Sequence, residues 1–282
     1  MSESVFWSIS CEPIETLEIM NYYYRTVLCL IMVVCVWSPV VEARVQITSI
    51  PYTHGEVVLE GVLAWDDTIT GKRPGILVVH EWWGLNEYVR ERAEQLAALG
   101  YVALAVDMYG KGKVTTHPDE ARQWMQQTTG NVEMWQARAR EGLRLLQANP
   151  LVDQTRLAAI GYCFGGATVM QMVYDGAPVK GVVSFHGALP LPPASLPMKN
   201  LTKVLIAHGE ADPFLTPDHI AKFKRALDGA GFDWHMMVFG GAQHGFTNPS
   251  ANQYGMEGVQ YQEQADRRSW GYMKLFFDEL FR

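Results

Sequence analysis

Short apolar runs recur through the middle of this chain, and each stops at a loop rich in Gly, Asp, Glu or His. They are Gly75-Ile76-Leu77-Val78-Val79-His80, Val102-Ala103-Leu104-Ala105-Val106, Leu157-Ala158-Ala159-Ile160, Gly181-Val182-Val183-Ser184-Phe185 and Val204-Leu205-Ile206-Ala207. A continuous apolar run without alternation suits a strand buried on both faces, the environment of a parallel sheet. Strands are also expected over residues 57–65 and 234–239. Helical patterns lie between and after the runs. Residues 86–99 place Val89, Ala93, Leu96 and Ala97 on one face, with Asn86 as N-cap and Gly100 as the stop. Further helices are expected over residues 119–129, 132–148, 217–228 and 261–280. Strands alternating with helices predict an α/β fold with a doubly wound, mostly parallel sheet flanked by helices. Ligands on such sheets sit at the carboxyl ends of the strands, so the loops after the runs should carry the chemistry.

The run 157–160 feeds Gly161-Tyr162-Cys163-Phe164-Gly165-Gly166, and a helix-like run, 167–174, follows. Strand, glycine-flanked nucleophile and helix make the nucleophile elbow of α/β hydrolases, here with cysteine in the usual place of serine. The glycines suit a tight, strained turn where side chains would collide with the strand or helix. A helix starting after Cys163 would aim its positive end at the sulfur and favour thiolate, the attacking form. Taken alone, the motif also fits a buried cysteine at a strand–helix junction.

Two later loops extend the constellation. Gly209-Glu210-Ala211-Asp212-Pro213 follows the run 204–207, and Gly240-Gly241-Ala242-Gln243-His244-Gly245-Phe246 follows 234–239. Nucleophile, acid, histidine is the chain order of the α/β-hydrolase triad. In this reading His244 takes the thiol proton and later protonates the leaving group. Asp212 orients the imidazole and stabilises its cation. The backbone N–H groups of Phe164 and Trp82 form the oxyanion hole. Plainer readings stand beside these. His80, His186 and His208 end or follow strands and could be hydrogen-bonded loop residues. Asp107 competes for the acid role, and Asp212 before Pro213 suits a turn. There is no His-Glu-x-x-His and no paired CxxC, so neither a metal nor another cofactor is expected.

The start of the chain has a different character. Residues 26–37 are apolar, with Arg25 before them and Val41-Glu42-Ala43 after. A positive flank, a short apolar core and small residues at the cleavage site predict a secretory signal peptide cut after Ala43. The run is shorter than the ~20 apolar residues of a membrane span. Glu3, Glu12, Glu15 and Glu18 precede it, which suits a signal peptide poorly, whereas Met20 would begin a well-formed one. The expected organisation is a leader, residues 1–43, with true start Met20, then one domain over 44–282. The product would be exported, periplasmic or secreted, or else anchored in the membrane by an uncleaved leader. Of the four cysteines, Cys11, Cys29 and Cys35 lie in the leader. A mature chain keeps only Cys163 and can form no internal disulfide. The net charge of −7, without a basic patch or run, gives no sign of nucleic-acid binding.

These motifs, with His80-Glu81-Trp82-Trp83-Gly84-Leu85-Asn86, Asp107-Met108-Tyr109-Gly110 and His244-Gly245-Phe246, resemble the dienelactone hydrolase family from about Gly55 to the end. The resemblance implies a monomeric α/β-hydrolase fold without a separate cap domain and a Cys163–His244–Asp212 triad. It also gives Glu81 a catalytic role, contacting the resting thiol and helping to form thiolate as substrate enters. The residues alone would favour a solvated loop carboxylate there.

In the family's founding reaction a dienelactone ring is opened while two arginines hold the substrate carboxylate. Here the matching places hold Lys111 and Asn248, which with Tyr109 are the candidate substrate contacts. The departure points away from dienelactone but leaves the acyl chemistry intact. The expected function is hydrolysis of a small ester or lactone through a Cys nucleophile, with no stable membrane partner once the leader is cut. One alternative is a general carboxylesterase or thioesterase on the same site, Trp82 and Trp83 favouring an apolar acyl group. Another is a non-catalytic binding or redox-sensing protein that kept the elbow.

Overall fold

A computed structural model describes residues 44–194, 196 and 202–282. The expected leader, residues 1–43, lies outside the described residues. The apolar runs become the centre of an eight-stranded sheet. Its strands are β1 (Val45–His54), β2 (Val57–Asp66), β3 (Arg73–Val79), β4 (Val102–Val106), β5 (Val152–Tyr162), β6 (Gly181–Phe185), β7 (Lys203–Gly209) and β8 (Trp234–Phe239). Their order across the sheet is β1-β2-β4-β3-β5-β6-β7-β8. The β1–β2 hairpin and the β2–β4 pair are antiparallel, and every pair from β4 to β8 is parallel.

Six helices are described: α1 (Glu87–Ala98), α2 (Pro118–Thr129), α3 (Val132–Gln147), α4 (Phe164–Tyr174), α5 (Pro217–Ala230) and α6 (Glu263–Leu280). They divide between the two faces of the sheet, as β3 illustrates. Its Ile76 and Val78 join Val89 and Leu96 of α1 and Phe277 of α6 in one core. Its Leu77 and Val79 join Leu143 of α3 and Val169 of α4 in the other. Successive side chains of a strand point to opposite faces, so an unbroken apolar run is what a two-sided core requires.

The sequence reading differs from the structure in three places. β1 was not anticipated, because it is an edge strand of half-buried and exposed residues without an apolar run. Its hairpin turns through Gly55, whose φ of 59° is left-handed. Asn86 does occupy the N-cap position of α1, but its side chain makes no capping bond and its Oδ1 is buried without a partner. β5 begins at Val152, five residues before the apolar run, because its first half pairs with the polar start of β3. One placement matters for the site: α2 packs on α3 beyond the sheet's helix layer.

Candidate active site

Cys163 stands between β5 and α4 at φ 54°, ψ −112°. A non-glycine residue in that region costs on the order of 1–3 kcal/mol and persists only where its surroundings impose it. Backbone proximity imposes it here. A Cβ at Gly161 would lie 2.0 Å from the Gly165 carbonyl oxygen, and one at Gly165 would lie 2.2 Å from that of Val79. The glycines therefore let α4 start directly against the ends of β5 and β3. The Cys163 N–H donates to the Phe185 carbonyl at 3.0 Å, which ties the elbow to β6.

The loops after β7 and β8 bring the other two groups. His244 Nδ1 lies 2.8 Å from Asp212 Oδ2, and His244 shares the lining of one cavity with Cys163. Asp212 is buried, and its second oxygen accepts the Phe214 N–H at 2.9 Å. The His244 backbone is held by Gly258 and Gln260 in a short parallel bridge. Burial lowers the His244 pKa, but Cys163 and Asp212 outweigh it and raise it to about 10. The imidazole is thus set to carry a proton between a sulfur and a carboxylate.

Glu81 follows β3 and is 4% exposed. Burial pushes its carboxyl up to about 7, against the opposing pull of the Asn248 hydrogen bond and of His244. Asn248 Nδ2 donates to Glu81 Oε2 at 2.6 Å. The resemblance implied a Glu81 contact with the thiol; the hydrogen bond seen at the Glu81 side chain comes from Asn248.

The two expected oxyanion donors lie beside the sulfur's loop. Phe164 is the first residue of α4, where helix geometry leaves its N–H without an intrahelical acceptor. Among the described residues the Trp82 N–H donates to no other group. His80 fixes this loop. Its Nε2 accepts the Met108 N–H at 3.1 Å, so Nδ1 carries the proton and donates to the Glu81 carbonyl at 2.5 Å.

The expected substrate contacts are placed elsewhere. The Lys111 N–H donates to the Val58 carbonyl and its ammonium pairs with Glu60 at 2.7 Å. The loop after β4 is thereby pinned over β2, and Lys111 lines a cavity that does not include Cys163. Tyr109 is buried, its ring packed between His80 and Phe164 with centroids 4.8 and 5.3 Å away. It supports Phe164 and the His80 ring. Asn248 is 1% exposed and is consumed by Glu81. Asp107, the rival acid, accepts the backbone N–H groups of Tyr109 and Gly110 and shapes that loop.

Sequence reasoning also missed the layer beneath His244. His186, at φ 38°, sets its ring edge-on to His244 with centroids 5.3 Å apart. Burial holds its imidazole well below the usual range. His186 Nε2 meets Thr247 Oγ1 at 2.7 Å, Tyr88 meets the same hydroxyl at 2.6 Å, and Arg92 bonds both the Thr247 carbonyl and Asp266. These residues come from four separate stretches, and no local motif marks them. Among the described residues no group of three or more His, Cys, Asp or Glu side chains could hold a metal ion.

Comparison with known proteins bears on the family and the fold. The dienelactone hydrolase family model matches residues 59–281. A relative from Aquifex aeolicus named "Putative carboxymethylenebutenolidase" is 29% identical over 187 residues, covering 62% of this chain and 77% of its own. An uncharacterized protein of Caenorhabditis elegans is 30% identical over 148 residues, 51% of this chain and 92% of its own. Among solved structures, a dienelactone hydrolase-like promiscuous phosphotriesterase from metagenomic libraries superposes with a TM-score of 0.81 at 36% identity, over 84% of this chain and 99% of that one. Matched from within β2 almost to the last residue, on an α/β-hydrolase fold, this chain belongs to the dienelactone hydrolase family.

Proposed function

We propose that the protein hydrolyses a small ester or lactone through a covalent intermediate on Cys163. The observation that carries this reading is Cys163 on the strained elbow, sharing a cavity with His244, whose ring meets Asp212 at 2.8 Å. In acylation the Cys163 thiolate attacks the substrate carbonyl carbon, and the Phe164 and Trp82 N–H groups receive the oxyanion. The carbon–oxygen bond then breaks, and the alkoxide takes the proton that His244 carries. In deacylation His244 takes a proton from water as the resulting hydroxide attacks the thioester. The carbon–sulfur bond breaks, and the thiolate returns to its pair with His244. Asp212 holds the imidazole in one tautomer throughout. Glu81, raised to about 7 and held by Asn248, is a proton-exchanging neighbour of this pair near neutral pH.

The reading includes export of a monomer with no stable membrane partner: residues 1–43 act as a leader, with Met20 as start and cleavage after Ala43. Intact mass of the exported protein tests the cleavage, and sedimentation tests the monomer. The activity is tested with lactones, p-nitrophenyl esters and thioesters, each against Cys163→Ala. Because the 36% identical structural relative is named a promiscuous phosphotriesterase, a p-nitrophenyl phosphotriester belongs in the panel. Full turnover by Cys163→Ala would remove the thiol mechanism.

A further inference from the structure

Two cavities meet at the nucleophile. One, of about 560 Å³, lies between α2, the start of α4 and the loop after β6, with Trp135, Phe164, Ala167, Leu189 and Leu215 on its walls. The other, of about 350 Å³, lies under the loop after β3 and carries Glu81, Trp82, Trp83, Arg122 and Met256. Cys163, His244, Met125 and Phe214 line both. The two differ in chemistry. Few polar side chains line the larger one, and one of them, His219, is already engaged with the Leu189 carbonyl at 2.8 Å. The smaller one holds a buried carboxyl and a half-exposed guanidinium, whose NH1 is bonded to Asp119.

We propose that the substrate has two unequal arms about its scissile carbonyl, and that the larger, apolar arm sits in the chamber beneath α2 while the shorter arm lies toward Glu81 and Arg122. This rests on the ester-hydrolase reading above and adds the substrate class: an ester with an aryl or medium-length alkyl substituent on one side. The carbonyl must lie at Cys163 with its oxygen at the two backbone donors, so its two substituents leave in opposite directions. Of the two, the chamber of about 560 Å³ offers the larger and less polar surface continuous with the sulfur, while the tryptophan-lined one of about 350 Å³ also carries Glu81 and Arg122. A chamber of this volume and lining is in the ordinary range for small-molecule sites. Each methylene fully buried there should favour binding roughly fourfold.

The experiment uses the full chain and reads alkylation at Cys163 itself by peptide mass, with N-methyl to N-hexyl chloroacetamides. Hydrolysis of p-nitrophenyl acetate to octanoate, and of acetates of lengthening alcohols, is measured in parallel. Ala188 is exposed on the chamber rim, so Ala188→Trp narrows the chamber without entering the core. The expected alkylation rate rises at least tenfold from methyl to hexyl. Ala188→Trp, or Thr129→Trp on the facing wall, removes that rise. Met256→Trp, in the smaller chamber, keeps it. A flat length dependence in the unaltered chain, or equal slowing of every length by Ala188→Trp, overturns the assignment. Length-dependent alkylation without turnover of any ester would leave the chamber standing and remove the hydrolase reading. Cys163-dependent hydrolysis that ignores length in both ester series, together with flat alkylation, would remove the chamber and leave the hydrolase.

Discussion

Two buried carboxyl groups flank the thiol–imidazole pair, and they are held in opposite ways. Asp212 has both oxygens engaged, one by the His244 ring and one by the Phe214 N–H. Glu81, equally buried at 4% exposure, is hydrogen bonded among the described residues at one oxygen, by the neutral amide of Asn248. A cationic partner offsets the cost of burying a carboxylate, while a neutral donor offsets only part of it. Burial therefore pushes Glu81 up to about 7, and across the site His244 is raised to about 10 with Asp212 as one of its supports. Equal burial does not set the charge of a carboxyl; the partner does. One carboxyl meets the imidazole, and the other is a group that exchanges a proton near neutrality.

The largest expected effect removes what the two carboxyls serve. Cys163→Ala should lower ester turnover by about 10⁴-fold or more. Since Cys163 is the first of the influences that raise His244, the same variant should lower the His244 pKa, visible by NMR titration. Asp212→Asn should follow, with kcat down about 10³- to 10⁴-fold while the fold persists, because the wrong tautomer is then held. Glu81→Gln should cost less, on the order of 10²-fold. Equal losses from the two would erase the distinction drawn here.

Stability should separate them in the other direction. The folded Glu81 carboxyl titrates near 7 against an ordinary 4.5, so the folded state binds the extra proton between those values. Stability then falls as pH rises across that window. Above it the buried charge costs about 3 kcal/mol. Glu81→Gln, still able to accept the Asn248 bond, should raise urea-unfolding stability at pH 8 by up to that amount and change little at pH 4.5. His244 has the same sign in a later window: its contribution is complete below 6.5 and is lost as pH rises through about 10. Asn248→Ala should have the smallest effect, about 1–2 kcal/mol, by leaving the Glu81 oxygen unmatched. Its signature is a further rise of the Glu81 titration, followed through the pH profile of kcat/KM.

Much of this was legible in the chain itself. The unbroken apolar runs required a two-sided core, and the order Cys163, Asp212, His244 with its glycines marked the elbow and a candidate triad. The hairpin strand β1 was not legible, since an edge strand needs no apolar run. Nor were the positions of Lys111 and Asn248, which depend on Glu60 and Glu81, partners distant in sequence. The His186–Thr247–Tyr88–Arg92 layer was hidden for the same reason.

The sequence by itself determined the sheet and the elbow, and it marked Cys163, Asp212 and His244 as the candidate groups. Periodicity and glycine sterics act between near neighbours, and those are written in order along the chain. Only the tertiary structure decided which carboxyl meets the imidazole, which meets an amide, and which cavities open onto the sulfur. Desolvation and hydrogen bonding act between groups that folding alone makes adjacent.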